Sequence, residues 1–462
     1  MAETFSKTFS KHNMGKNVII TFVGFFALLL GVFVNEKYHF YLGVGQLILA
    51  FVLYAATVYL VAERNWLDVR AVFTGVWIAT IGLAIMRFNE YQKPWIVKTW
   101  VLLAVAYLVY QIGATIGILF GEKFLSKTKK ISEKLNWKRV YFKLKEERLF
   151  MICVVTTLIG LACFLINVAI RGFIPAFSSS LTAYLDFYTK FHMFAVGSTA
   201  ISGLCYYCIK TQPLGRVKKA ILWACIFYLI ILFPILVVSR GTFIVAGLSL
   251  TTAIFYLNKK KLLVLILCIA AMAGVYLFTS SLRGYSDEYL DQHFEPVETT
   301  VSPKMSFLYG YFTVSHDNFN EAVEHTEGYT WGARQAYPFN VILRIPKLTE
   351  LRDNGEWYRV REHLPTINMQ GVFYYDFHEW GVVICTLLWA AIFGIMQSLY
   401  IKSKNPFSLF VLGYGMVPIA LSFFGSWIDM FEIWMYWGVI LIVAIFACIR
   451  LKPKNLCVNQ EE

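Results

Sequence analysis

The sequence predicts an all-α polytopic membrane protein with about 12 transmembrane helices and one large, partly helical loop on its outer face. Three observations predict it. Hydrophobic residues make up 58% of the 462 and charged residues 15%, whereas a soluble domain carries about 45–50% and about 25%. Mean hydropathy is +0.58. The apolar residues also come in continuous runs, not in the strand-by-strand alternation of an outer-membrane barrel. Together these exclude an ordinary cytosolic enzyme, a disordered chain and a disulfide-rich secreted scaffold.

Spanning runs must be helical, because only a helix pairs every backbone group within its own segment in hydrocarbon. Twelve runs qualify: 17–34, 40–61, 71–86, 96–120, 149–170, 193–209, 220–239, 242–257, 262–279, 380–400, 409–425 and 433–449. The first follows Lys7, Lys11 and Lys16. It ends in Asn35-Glu36-Lys37-Tyr38-His39, not in a small-residue cleavage site, and so reads as an uncleaved helix.

Basic residues gather on the cytoplasmic side of a membrane protein. With both termini cytoplasmic, the cytoplasmic set holds 27 of the 42 Lys and Arg residues, 10 of them in 121–148. The outer set holds 15, of which 8 lie in one long loop that carries no weight in the rule. The net charge of +13 is therefore mostly topological. The stretch from Lys123 to Arg148 suits anionic membrane lipids, and no nucleic acid is needed to explain it.

The chain divides accordingly. Residues 1–279 hold helices one to nine with the basic cytoplasmic loop at 121–148. Residues 280–379 form the outer loop, and 380–462 hold helices ten to twelve and a cytoplasmic tail. The outer loop has none of the nine cysteines, so packing must order it. Cys205 and Cys208 are spaced as CxxC, but no second pair or histidine lies near them, and they read as small packing residues.

A transporter seldom needs a loop this size, because its substrate site lies at mid-bilayer. Phe307, Leu308, Tyr311, Phe312 and Phe319 fall at near-helical spacing, which predicts an amphipathic helix over 304–325 lying on the membrane or the helix bundle. Gly328-Tyr329-Thr330-Trp331-Gly332 reads as a turn. Aromatic residues are no denser in the loop than in the whole chain, so composition does not argue for sugar stacking. The cytoplasmic set has 21 Lys to 6 Arg, and the outer set 6 Lys to 9 Arg. Arginine offers a fixed fork to phosphate where lysine offers a point charge. An arginine bias on the outer face is what a lipid-pyrophosphate site would need. Internal pairing with the loop's 15 Asp and Glu residues is the plainer alternative.

Arg240 stands out. In Val237-Val238-Ser239-Arg240-Gly241-Thr242 it has apolar helix on both sides and almost no loop, a costly place for a charge that is usually tied to function. Arg283 lies just past the ninth run, and Arg171 follows the fifth in Arg171-Gly172-Phe173-Ile174-Pro175. Acid–base candidates share the outer side. His316-Asp317 and Asp376-Phe377-His378-Glu379 each set a carboxylate beside an imidazole, although neighbours on a helix do not face each other. No HExxH, Walker, GxSxG or GxGxxG motif occurs in a supporting context, and no DxD-type cluster suggests a divalent metal.

Several ordered pieces are familiar. Gly172-Phe173-Ile174-Pro175, Ser239-Arg240-Gly241, the blocks Tyr309 to Phe319 and Gly328 to Pro338, and Thr366 to Gly381 resemble segments of the bacterial oligosaccharide repeat-unit polymerases, the Wzy-type O-antigen and capsule polymerases. The pieces cover roughly 170–400 of the chain. One departure stands out: the family commonly has Gly after Asp-Phe, where this chain has His378.

The resemblance implies a metal-independent, inverting glycosyltransferase with a GT-C-like membrane fold and no cofactor. It would sit in the cytoplasmic (inner) membrane and polymerise undecaprenyl-pyrophosphate-linked oligosaccharide for lipopolysaccharide O-antigen, capsule or exopolysaccharide. A flippase and a chain-length regulator of the same pathway would be its partners. The resemblance assigns pyrophosphate binding to Arg240, Arg283 and Arg334, with Arg344 and Arg171 behind them. Base or hydroxyl-orienting roles fall to His316, Asp317, Asp376 and His378. An O-antigen ligase, with the same donor, and a lipid-linked oligosaccharide transporter or flippase are the competing readings.

Overall fold

The computed structural model describes residues 11–33, 36–134, 146–178, 186–258, 262–263, 265–271, 274, 287–294, 296–297, 302–353 and 357–448. Among these there is no strand, and one isolated bridge pairs Asn89 with Pro296. Among the described residues, seven helices are long and apolar enough to cross a membrane, and three shorter apolar helices accompany them. The protein is a multi-pass, all-helical membrane protein.

The first five helices are α1 (Lys11–Leu29), α2 (His39–Ala56), α3 (Val69–Ile85), α4 (Val97–Lys134) and α5 (Glu146–Arg171). At a rise of about 1.5 Å per residue, α4 is far longer than a bilayer requires, and its lysine-rich end runs on beyond the apolar stretch. The sixth apolar run is not one continuous α-helix: α6 (Lys190–Ser198) and α7 (Ser202–Thr211) are joined by a tighter turn at Thr199–Ile201. Next come α8 (Arg216–Leu236), which contains a wide π-turn, and α9 (Arg240–Leu257). Of the ninth run, residues 262–263, 265–271 and 274 are described, and they are helical.

The loop contributes α10 (Asp287–Phe294), α11 (Pro303–His325), α12 (Tyr337–Leu343) and α13 (Pro346–Asp353). Three helices close the chain: α14 (Met369–Ser403), α15 (Pro406–Ala420) and α16 (Phe431–Cys448). The eleventh run was expected to reach 425, but α15 stops at Ala420, and a turn over 421–430 follows.

The largest helix–helix contact joins α4 to α14. It needs small residues: a Cβ on Gly117 would lie 2.0 Å from the Ala391 carbonyl oxygen, so only glycine allows this approach. One end of α3 is clamped to α14 by a buried ion pair. Asp68 accepts from Arg70 Nε and Nη2, each at 2.9 Å, and from Gln397 Nε2 at 2.7 Å. The loop helix α11 packs at the opposite end of α3.

The helix expected over 304–325 forms, and of the two settings expected for it, the membrane and the helix bundle, it takes the bundle. Its middle, from Thr313 to Asn320, is buried throughout, packed against α3, α4 and α14. The apolar spacing that suggested an amphipathic helix is accompanied by polar side chains with partners far away in sequence. Ser306 donates to Asn89 Oδ1 at 2.7 Å, and Asn318 donates to the carbonyls of Leu364 and Thr366, each at 2.7 Å. Asn320 Oδ1 accepts from Thr99 at 2.8 Å and from the Ile96 amide at 3.0 Å. Burying polar groups is tolerable when each is hydrogen-bonded, and here they are.

Candidate functional site

His316 and Asp317 are adjacent in α11 but serve different surroundings, so they do not act as a dyad. His316 is fully buried. Asn368 caps α14 by accepting the Gly371 amide on Oδ1, which turns its Nδ2 toward His316 Nδ1 at 3.1 Å. That assigns the ring proton to Nε2, which donates to Thr80 Oγ1 at 3.0 Å. Burial lowers the imidazole to about 3, so it is neutral. The Asp317 carboxylate accepts from Gln92 Nε2 at 2.9 Å and from Trp95 Nε1 at 2.8 Å. Burial nevertheless raises it to about 7. Trp95 also lines an open groove of about 500 Å³ with Trp100, Arg87 and His39 at the ends of α1 to α4.

Asp376 is fully buried in the first half of α14, and its carboxylate is filled. It accepts the Thr330 hydroxyl, the amides of Arg334 at 3.2 Å and Gln335 at 3.1 Å, and the Gln335 side chain at 3.1 Å. Its own carbonyl accepts the Trp331 amide. This latch fixes the turn expected at Gly328–Gly332 and sets the position of Arg334. In the Asp376–Arg334 pair the contact is therefore to backbone, and the guanidinium points elsewhere.

Just after Asp376, α14 breaks. Phe377 has φ −147° and ψ 21°, and His378 has φ 50° and ψ −135°, a region that favours glycine. The break folds the chain back so closely that a Cβ on Gly381 would lie 1.9 Å from the Phe373 carbonyl oxygen. A histidine is held here by its ring, which stacks on Tyr329 at 4.1 Å and on Tyr374 at 4.9 Å. Its Nε2 meets the Gly328 carbonyl at 3.2 Å.

The two arginines singled out most strongly among the described residues each sit among aromatic rings. α8 and α9 are separated by three residues, Val237 to Ser239, with Val238 at φ 52°. Ser239 caps α9 by accepting the Thr242 amide, and Arg240 is its first helical residue. Arg240 is buried. Its Nη2 donates to the Tyr311 hydroxyl at 2.6 Å, and the guanidinium lies over the rings of Tyr311 at 5.0 Å and Phe307 at 5.7 Å. The α9 N-terminus adds the positive end of its dipole. Arg334 is buried against Trp357 at 4.3 Å and Tyr375 at 4.5 Å, two rings that stack on each other.

The other arginines stand apart. Arg344 is exposed and forms the left-handed cap of α12, at φ 53°. Arg171 is exposed at the end of α5 and donates to the Tyr188 carbonyl at 2.6 Å. Arg283 lies outside the described residues.

The turn over 421–430 connects the two arginine environments, and sequence reasoning passed over it. Phe424 stacks on Tyr311 at 5.7 Å and lies 6.4 Å from Trp427. Asp429 follows, partly buried, with electrostatic reach to Arg334, Arg352 and Asp376. Arg352 was also missed; its guanidinium lies 3.5 Å over Tyr337. Among the described residues, no three His, Cys, Asp or Glu side chains gather as metal ligands would.

Compared with known protein families, with curated proteins and with solved structures, the chain finds no match. The residues and their geometry carry the functional reading.

Proposed function

We propose that this protein polymerises undecaprenyl-pyrophosphate-linked oligosaccharide repeat units into O-antigen, capsule or exopolysaccharide at the outer face of the cytoplasmic membrane. In this reading the chain crosses the membrane twelve times in a GT-C-like arrangement, with both termini in the cytoplasm. The growing glycan on its lipid pyrophosphate is the donor, and the terminal sugar of a single lipid-linked repeat is the acceptor.

One observation supports this reading above the others: Arg240, at a turn between two apolar helices, engages a helix of the long loop through Tyr311. In this reading a guanidinium and a helix N-terminus meet at the membrane boundary, where a lipid pyrophosphate would arrive. The chemistry demands charge stabilisation at the departing diphosphate, and fixed arginine donors supply it. A guanidinium stacked on aromatic faces, as Arg334 is, donates in its own plane and is held in one orientation. Arg240 and Arg334 are therefore assigned to the pyrophosphate. His316, Asp376 and His378 act as positioning residues, since their polar atoms are committed to the surrounding turns.

The test is reconstitution of the full chain in liposomes with lipid-linked repeat units alone. A ladder of lipid-linked polymer supports the polymerase. Transfer only when lipid A core is added would replace it with a ligase. Movement of the intact lipid across the bilayer without new glycosidic bonds would replace it with a transporter.

A further inference from the structure

We propose that Asp429 is the catalytic base of this transfer, taking the proton of the acceptor hydroxyl; the assignment rests on the polymerase reading above. A base needs an acceptor atom that is not already spent on another partner. Asp376 accepts four hydrogen bonds and is closed to solvent. Asp317 spends one oxygen on Gln92 and the other on Trp95, and is only 3% exposed. His316 has both ring nitrogens engaged, and His378 Nε2 lies on a backbone carbonyl.

Asp429 differs. It is partly open, yet its Oδ1 is shielded from solvent and has no hydrogen-bond partner. An unmet carboxylate oxygen in a native fold is costly and calls for an explanation. It is not alone in this stretch: Trp427 Nε1 and Ser422 Oγ on the same turn are buried without partners. The adjoining first turn of α14, whose Met369 amide bonds to the Ser422 carbonyl, carries Gln370 with both amide atoms in the same state. Donors and acceptors gathered so, beside the rings of Phe424 and Trp427, match the needs of a sugar, with hydroxyls to bond and a face to stack.

The electrostatics agree. Burial pushes the Asp429 carboxyl up to about 6 and Asp376 adds to the rise, while its own backbone amide, the Ser426 hydroxyl and the Arg352 guanidinium pull it back. Arg334 faces the same group. A carboxylate with this affinity for a proton is charged at neutral pH and still basic enough to accept one. The arginines beside it couple the two ends of the reaction: the base end at Asp429 and the leaving group near Arg334.

The step balances as a direct displacement. The acceptor oxygen gives its proton to an Asp429 carboxylate oxygen and forms a bond to the anomeric carbon of the donor. The bond from that carbon to the pyrophosphate oxygen breaks, and the electron pair leaves on undecaprenyl pyrophosphate. The carboxyl then returns its proton to water. No oxidant, reductant or further reactant is required.

The full chain, reconstituted with lipid-linked repeats, tests this between pH 5 and pH 8. The wild type should make polymer at a rate that falls as pH drops through about 6. Asp429→Asn should be slower by about 100-fold or more at pH 8, a gap that narrows toward pH 5, with donor binding retained. Asp429→Glu should keep part of the rate with a displaced acid limb, and it stands in if the asparagine variant does not fold. A wild-type chain that polymerises while Asp429→Asn keeps both rate and acid limb overturns the role of Asp429 alone. A wild-type chain that makes no polymer overturns the polymerase reading and this role with it.

Discussion

Arg240 Nη2 donates to the Tyr311 hydroxyl at 2.6 Å, joining the start of α9 to the middle of α11 across 71 residues of sequence. The bond links a turn bounded by apolar helices to the long loop, so changes on either side should reach the other. Tyr311→Phe removes the hydroxyl and keeps the stack on Phe424. A hydrogen bond to a charged group contributes about 1.5–3 kcal/mol, so polymer formation should fall by about tenfold or more without loss of folded protein. Rate and melting temperature measured on the same preparation would check this. An unchanged rate would detach Tyr311 from the site.

His378 holds a backbone conformation that suits glycine, and its ring stacks on Tyr329 and Tyr374. His378→Ala loses both stacks and keeps the strain, whereas His378→Gly loses the stacks and relieves it. Glycine should therefore be more stable than alanine here by about 1 kcal/mol or more, the reverse of their order inside a regular helix. Melting of the two variants side by side decides it. Alanine proving the more stable would mean that the break in α14 is absent.

Asp376 organises the turn that carries Arg334, so its replacement should act through that turn. Asp376→Asn sets an amide where donors already converge and should cost about 3 kcal/mol. The same change should make the chain around 326–337 more open to protease. Thr330→Val removes a single donor and should show the same pattern more weakly. Unaltered proteolysis in both variants would show that the latch does not hold the turn.

Asp317 gives a pH signature. Its carboxyl is raised from 3.8 to about 7 in the folded chain, so the native state binds this proton more tightly than the unfolded state does. That stability is fully present below about pH 4 and is lost as pH rises through about 7, at up to about 1.4 kcal/mol per pH unit. On acidification from pH 7 to pH 5 the wild type should therefore gain melting temperature relative to Asp317→Asn, because the opposing loss from the neutral His316 is common to both. An equal slope in the variant would place the titration elsewhere.

Much of the architecture is legible in the sequence, because bilayer thickness imposes long apolar helices on any chain that crosses it. The Arg240 turn is legible for a related reason: a charge between two apolar runs is conspicuous. The departure at His378 is legible as a residue standing where glycine is expected, and the break in α14 is its physical meaning. The burial of α11 is not legible. Ser306, Asn318 and Asn320 look solvent-facing until their partners at Asn89, Leu364 and Thr99 are known, and those lie 46 to 221 residues away. Apolar spacing cannot register such pairing. Asp429 does leave a trace, one of two carboxylates, with Glu432, in a short connection between apolar runs. The length of the outer loop outweighs it when the sequence is read alone.

The central claim is that the guanidinium of Arg240 meets the diphosphate of a lipid-linked donor. Its most direct test compares wild type, Arg240→Ala and Arg240→Lys in liposomes with lipid-linked repeat units, each at matched protein content. The wild type should produce a ladder and Arg240→Ala only unextended single repeats. Arg240→Lys should lose most of its activity, because one ammonium cannot reproduce the fork. Polymer of normal length and rate from the alanine variant would contradict the account.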